Sequence, residues 1–293
     1  MAYARHQSFF IKDNWINKGI KAILQDPKVF NETSNYIYLG IGKNMFISLK
    51  YWLEAFNIVD FSNENAILTN FGLYINEVDL SCNEMLTLNL LHYFLTLEKP
   101  INGVEQSSAF YWFFNINKDS IFKKSDLLSE LINWDTKSNK KSTSENTLSR
   151  DIDCLLQTYT RLEKLHPEDK NTSILAKMNL VSKNKDYFTK NKINTKYIDR
   201  DFFMYAILRL WEDTASDSKY LDLNTVDETP MSPSKIFNIS RVETINLIEE
   251  LIVKEYPLQI VRTNNLNTIS ISFATESSVY LDNLLKRRRG ISK

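Results

Sequence analysis

The sequence has little glycine, cysteine and histidine, and these shortages exclude several classes of protein. Only six of its 293 residues are glycine, against an average of about 7%, so a glycine-rich nucleotide-binding loop has almost no material. Two cysteines and three histidines are too few for a cysteine-rich zinc site or a disulfide framework. We therefore expect a protein of the reducing cytoplasm.

Long apolar runs are also missing. No stretch approaches the roughly 18 consecutive apolar residues that indicate a membrane-spanning helix, and the first residues lack the apolar region of a signal peptide. With 43% hydrophobic and 25% charged residues, the composition is that of a globular chain with two or three small domains. We expect no membrane association.

Positive and negative charges balance over the whole chain but not along it. The chain has 36 basic and 36 acidic residues. Residues 1–50 carry seven basic against three acidic residues, residues 51–110 one against eight, and residues 111–200 seventeen against twelve. A neutral protein can carry a basic surface for nucleic acid, but such clusters also occur on ordinary solvated faces.

The first 72 residues show periodicities in the order of a winged helix. Apolar residues recur at helical spacing over 15–24 and 43–56, and short apolar strands at 58–59 and 66–69 flank a polar turn. The apolar side of the second helix contains Trp52, which we expect in the core. The side predicted to face outward comprises Lys43, Asn44, Lys50, Tyr51 and Glu54.

Similar patterns occur twice more. Helices are predicted at 125–134 and from residue 144 to 159, with a polar loop at 136–143 between them and a lysine-rich connection over 160–200 behind them. Nearer the C-terminus the pattern predicts helices at 202–211, at 232–234 and over 240–253, then a hairpin of strands 258–262 and 269–272.

These elements predict a mainly α fold with small β wings, in which tandem winged-helix-like units are joined by helical segments. Three domains are expected. They are an N-terminal winged-helix domain with a helical extension (1–118), a middle helix-turn-helix-like segment with a basic connection (119–200), and a C-terminal helical and winged-helix domain (201–293).

The segment from Leu39 to Asn44 resembles a phosphate-binding loop but lacks its defining residues. A P-loop needs glycine five residues before the Gly-Lys pair and Ser or Thr after the lysine, where this chain has Ile37 and Asn44. The alternative is a glycine turn that places Lys43 and Asn44 at the start of a helix, where free N–H groups and a cation suit a DNA phosphate. A plain tight turn is equally compatible.

Basic residues alternate with aromatic residues near the N-terminus. Arg5, His6, Lys12 and Lys18 surround rings such as Trp15, a combination that suits nucleic acid because cations hold phosphates while rings stack. These rings are also ordinary core residues. For His6 three roles stay open, namely a general acid or base, a metal ligand or a buried hydrogen-bonding group.

Carboxylates that hold a divalent metal ion against a phosphate would indicate nuclease chemistry. Asp151 and Asp153 lie two residues apart on a predicted helix and therefore point in different directions. Glu168, Asp169 and Lys170 have the spacing of part of a nuclease motif but lie in a polar loop. Neither pattern by itself predicts a metal site.

Several motifs together resemble a bacterial family. They are Arg5-His6-Gln7-Ser8-Phe9, Leu39-Gly40-Ile41-Gly42-Lys43-Asn44-Met45, Leu68-Thr69-Asn70-Phe71-Gly72 and Thr147-Leu148-Ser149-Arg150-Asp151-Ile152-Asp153-Cys154. On these motifs the chain is identified as a member of the SspB-like DUF4007 family, which is associated with DNA phosphorothioation. It departs from the family pattern at Arg5 and Gln7, where relatives often have Gly and Glu.

The resemblance implies a DNA-binding component of a phosphorothioation, or sulfur-modification, anti-phage defence system. It further implies a DNA nicking endonuclease that uses Mg or Mn, without assigning catalytic residues. The implied partners are double-stranded DNA, a cysteine desulfurase, an ATP pyrophosphatase-like enzyme and an ATPase. The alternative is a non-catalytic winged-helix adaptor or a transcriptional regulator.

The predicted DNA contacts combine the basic and aromatic patterns with the outward faces of the predicted helices. They are Arg5, His6, Lys12, Lys18, Lys43, Asn44, Lys50, Tyr51 and Arg150.

Overall fold

The chain divides into two compact units, Met1–Asn191 and Lys192–Lys293. The computed structural model describes residues 2–97, 108–138, 143–161, 172–215, 218–263, 266–271 and 275–291. The fold is mostly helical with small antiparallel sheets, as predicted. The domain boundaries at 118/119 and 200/201 stay predictions.

The first part of unit 1 consists of helices and a two-stranded ribbon. The predicted helices at 15–24 and 43–56 and the two short strands are confirmed. The elements are α1 (Trp15–Gln25), a 3₁₀ helix (Thr33–Ile37), α2 (Lys43–Ala55), β1 (Val59–Asp60), β2 (Ile67–Leu68), α3 (Asn70–Glu77), α4 (Met85–Leu95) and α5 (Ser108–Asn115).

Helix α3 follows the ribbon directly, and its first turn lies close to the backbone of Ile58. The Thr69 side chain accepts a hydrogen bond from the Gly72 N–H at 3.0 Å and so caps the helix. A Cβ atom at Gly72 would lie only 2.2 Å from the Ile58 carbonyl oxygen. Glycine is therefore required for α3 to approach the strand so closely.

The rest of unit 1 contains a three-stranded antiparallel sheet. Its strands are ordered β3-β5-β4, so the strand before the two helices pairs with the second strand of the hairpin after them. The elements are β3 (Ile121–Lys123), α6 (Lys124–Ser138), α7 (Glu145–Tyr159), a 3₁₀ helix (Ile174–Met178), β4 (Val181–Asn184) and β5 (Tyr187–Lys190).

Two sequence predictions for this region are wrong. The stretch 160–200 is not a mere connection, because 181–190 forms the hairpin that completes the sheet. Residues 136–138, predicted as loop, continue α6. Strands of three or four residues are too short to be recognised from alternating apolar and polar residues. They are stabilised by pairing with a strand distant in sequence.

Unit 2 contains a three-stranded antiparallel sheet of the same kind, in which helices again separate the first strand from the hairpin. Its sheet is ordered β6-β8-β7, and the predicted helices and hairpin are confirmed, although the hairpin turn at 264–265 lies outside the described residues. The elements are α8 (Arg200–Ala215), β6 (Tyr220–Asp222), α9 (Leu223–Glu228), α10 (Pro233–Ile236), α11 (Arg241–Val253), β7 (Leu258–Thr263), β8 (Leu266–Ile271) and α12 (Ser277–Arg288).

The basic run near the C-terminus forms ion pairs within unit 2. Arg287 and Arg288 lie in the last turn of α12, and Arg288 approaches Asp201 at 2.8 Å and Asp199 at 3.3 Å. Among the described residues, no helix is long and apolar enough to cross a membrane.

We predict that Gly72→Ala destabilises unit 1 by about 1 to 3 kcal/mol or more, because the added methyl group meets backbone that cannot rotate away. Urea denaturation would measure the loss. Gly42→Ala is the matched control, since a Cβ there meets nothing within 4 Å. Equal stability of the two variants would contradict the described approach of α3 to Ile58.

Candidate nucleic-acid interface

Lys43 and Asn44 lie exposed at the start of α2, as predicted. The preceding turn contains Gly40 in the left-handed region, with φ of 61°. No side chain caps the helix at Gly42, so the first-turn N–H groups are available to an outside anion. Free N–H groups, a cation and the positive end of the helix dipole together favour phosphate.

The predicted outward face of α2 is wrong for one residue and only partly right for another. Tyr51 is just 3% exposed, so its ring cannot meet DNA directly. Lys50 is half-buried, with Nζ donating to the Phe30 carbonyl oxygen at 3.3 Å and lying 4.8 Å from the Phe61 ring centre. Both are covered by other parts of unit 1.

The segment 2–9 crosses α2 and accounts for the burial of Tyr51. The Phe9 carbonyl oxygen accepts a hydrogen bond from Trp52 Nε1 at 3.0 Å. Arg5 forms an ion pair with Glu54 at 2.9 Å, and its guanidinium lies 5.4 Å from the Tyr51 ring centre. These contacts hold residues 2–9 on the face of α2 that the apolar spacing of the sequence predicted to be exposed to solvent.

His6, within this segment, is fully buried at 0% exposure between α2 and α7. Its Nδ1 accepts the Ser8 N–H at 3.1 Å, so Nε2 bears the ring proton. Nε2 lies 2.9 Å from Asp151 Oδ1, although it makes no hydrogen bond of good geometry within the described chain. Of the three roles considered for His6, burial favours the structural one.

Asp151 also holds the backbone of the N-terminal segment. Its Oδ1 accepts the Ala4 N–H at 2.8 Å. Ala4, Gln7 and Ser8 all have positive φ, between 49° and 65°, a conformation that costs free energy for residues with a side chain. The surrounding contacts must offset that cost, so the segment depends on Asp151.

The two carboxylates of α7 point in different directions, as predicted. Asp151 is buried, whereas Asp153 is partly exposed and pairs with Lys124 at 2.6 Å. Arg150, which directly precedes Asp151, is exposed. Glu168 to Lys170 lies outside the described residues.

Lys12 precedes α1, and Lys18 lies in its first turn. Lys12 Nζ lies 5.8 Å from the Trp15 ring centre, a cation–π distance. Lys18 is exposed and donates to the Leu39 carbonyl oxygen at 3.1 Å, which ties α1 to the turn that precedes Lys43.

The sequence analysis missed a groove of about 1110 Å³ along α1. One wall is the polar face of α1 and the other is the segment 26–39. The signal available in the sequence was the repeated asparagine of this region, together with Tyr38, whose ring is 84% exposed. The lining residues are Asn14, Asn17, Lys18, Lys21, Ala22, Gln25, Asp26, Lys28, Val29, Asn31, Glu32, Asn35, Tyr38, Leu39 and Glu64.

The resemblance implies a magnesium or manganese ion for nicking, and such an ion needs several ligating side chains close together. Within the described ranges no three His, Cys, Asp or Glu side chains come together. The Asp151 carboxylate already contacts His6 and accepts a hydrogen bond from the Ala4 N–H. Asp13 Oδ1 is buried without a hydrogen-bond partner, but Lys177 lines the same pocket of about 220 Å³. These residues do not fit a metal held by protein ligands alone.

Comparisons with known proteins confirm the predicted family. The chain belongs to the family described as a protein of unknown function (DUF4007), which it matches over residues 3–287. Similar solved structures are the "Magnesium ion-bound SspB crystal structure", with a TM-score of 0.84, and the "SspB crystal structure", with 0.82; both are 19% identical, and each match covers 99% of this chain and 88% of the other. No curated protein matches. At this identity, the likeness establishes the shared fold.

We predict that Asp151→Asn lowers the free energy of unfolding by roughly 1.5 to 3 kcal/mol, because it removes the charged acceptor of the Ala4 N–H and the negative charge that faces His6 Nε2. Urea denaturation and protease cleavage within residues 2–9 would measure the effect.

Asp153→Asn is the control for this prediction. It removes the same charge from the same helix, where Asp153 forms a half-exposed pair with Lys124, and such pairs contribute about 1 kcal/mol or less. Similar losses in both variants would show that the buried pair has no special role.

Proposed function

We propose that this protein is the DNA-binding component of a phosphorothioation-based anti-phage defence system, that it contains two winged-helix-like units in tandem, and that it binds the duplex through unit 1. The order helix, strand, helix, helix, strand, strand, with the first strand paired to the third, carries the proposal. Unit 1 has this order at 108–190, and unit 2 has it at 200–271 with one additional four-residue helix, α10, between α9 and α11. Membership of the family and the SspB-like fold support the placement in such a system.

Charge on the last α-helix before the hairpin of each repeat favours unit 1 as the DNA-binding unit. Helix-turn-helix proteins place this helix in the major groove. In unit 1 it is α7, which exposes Arg150, and the following hairpin exposes Lys183 and Lys185. Cations at these positions suit the phosphates of both strands.

The corresponding helix of unit 2, α11, is poorly suited to DNA. Val242, Asn246, Glu249 and Val253 recur at helical spacing on its exposed side, and the two valines are 68% and 82% exposed. Its arginine, Arg241, pairs with Asp227 at 2.9 Å. Carboxylates repel phosphates, so we assign the duplex to unit 1.

Within unit 1, burial sorts the predicted contacts into two groups. Lys18, Lys43, Asn44 and Arg150 are exposed, while Arg5, Lys12 and Lys50 are partly exposed. These seven are the proposed DNA contacts. The other two, His6 and Tyr51, are buried and act only by positioning the surface around them.

The proposed cellular role follows the family resemblance. The protein would act in the cytoplasm with a cysteine desulfurase, an ATP pyrophosphatase-like enzyme and an ATPase. Nicking with Mg or Mn is the enzymatic form of this role, and a non-catalytic adaptor or transcriptional regulator is the alternative. The described side chains do not fit a metal site made of protein ligands alone, and none of them is assigned a catalytic role.

We predict that the double variant Lys43→Ala/Arg150→Ala weakens duplex binding to the same extent for unrelated sequences. The loss of two phosphate contacts should also flatten the slope of log K against log salt by roughly 2 units. Fluorescence anisotropy over a salt series would measure both effects.

Lys219→Ala/Lys254→Ala is the matched control, because both lysines are exposed and lie in unit 2. A normal salt slope in the unit 1 variant, or an equal loss in the control, would refute the assignment.

Incubation with a supercoiled plasmid distinguishes a nicking endonuclease from a non-catalytic adaptor or regulator. We expect duplex binding in either case, and conversion to the open circular form with Mg or Mn only if the protein nicks DNA. Binding without conversion supports the adaptor or regulator. Absence of binding to any duplex at low salt would refute the proposed function itself.

A further inference from the structure

The groove along α1 is electrically neutral, which distinguishes it from a channel for phosphates. Its lining contains three lysines and three acidic residues. Lys28 and Glu64 form an ion pair at 2.5 Å, and the Asp26 carboxylate accepts the Lys28 N–H. A strand of phosphates along the whole groove would gain little from this balance.

The groove is instead rich in amide side chains that present oxygen atoms. Asn31 and Asn35 use their Nδ2 donors on backbone carbonyl oxygens, those of Glu64 and Val29. The Asn17 Oδ1 atom is buried without a hydrogen-bond partner in the described chain. A buried acceptor without a partner costs free energy, which a ligand carrying N–H groups would recover.

Tyr38 supplies a flat surface at the same groove. Its ring is 84% exposed, next to the 67% exposed Ile37. At that end, Lys18 donates to the Leu39 carbonyl oxygen, and the chain continues through Gly40 to the exposed Lys43. The groove thus combines a neutral amide-lined interior with a ring and two cations at one end.

We propose that this groove binds unpaired nucleobases of a DNA strand whose phosphates lie at Lys18 and Lys43. A nucleobase is neutral and flat, and adenine, cytosine and guanine carry exocyclic amino donors. Its face is available to a tyrosine only when the base is unstacked from its neighbours. The inference rests on the proposed DNA binding and adds a ligand class for the groove.

The test compares a labelled duplex with the same duplex carrying a gap of three nucleotides, using the full-length chain. Base stacking on an aromatic side chain is worth roughly 1 to 3 kcal/mol, so the wild type should bind gapped DNA at least about fivefold more tightly than duplex. Tyr38→Ala should abolish this preference and leave duplex affinity unchanged. Tyr38→Phe should retain the preference, because the ring remains.

Tyr220→Ala is the control, since Tyr220 is a 53% exposed tyrosine in unit 2 that does not line the groove. Thermal denaturation would verify that each variant is folded. Equal affinity of the wild type for the two DNAs, or an unchanged preference in Tyr38→Ala, would overturn the inference while duplex binding still stood. Failure to bind either DNA would overturn the proposed function as well.

Discussion

The buried contact between His6 and Asp151 determines how unit 1 presents its surface. It joins a backbone segment with positive φ angles to a helix more than 140 positions further along the chain. That segment covers α2 and accepts the Trp52 hydrogen bond, so α2 and α7 are held through one shared strip of chain. The exposed cations of both helices therefore have a defined spacing, which a fixed DNA geometry requires.

The zero net charge of the chain conceals a difference in exposed charge between its two units. Exposed cations on α7 and its hairpin make unit 1 compatible with phosphates, whereas glutamate and valine on α11 give unit 2 a different surface. Two similar arrangements of helices and strands can thus present different surfaces, because the fold fixes where the helix before the hairpin lies and not which side chains it exposes.

The sequence predicted the longer elements and the ribbon of β1 and β2 well but missed β3, β4, β5 and β6. Helices such as α2, α8 and α11 have enough turns for their apolar spacing to be unambiguous, whereas β3 and β6 have three residues each and depend on pairing with distant strands. Family motifs identified the chain correctly. The error at Tyr51 has a similar cause, since helical periodicity cannot show that residues 2–9 return to cover a second face of α2.

Long-range pairing also orders events during synthesis. The Ala4 N–H needs Asp151, and the Asp13 N–H donates to the Thr172 carbonyl oxygen, so both contacts can form only after the chain has been synthesised beyond residue 172. Until then residues 2–9 can contact α2 but lack the anchor on α7. Closure of such distant contacts is slow, which makes this interval the period in which a growing chain is most exposed to aggregation.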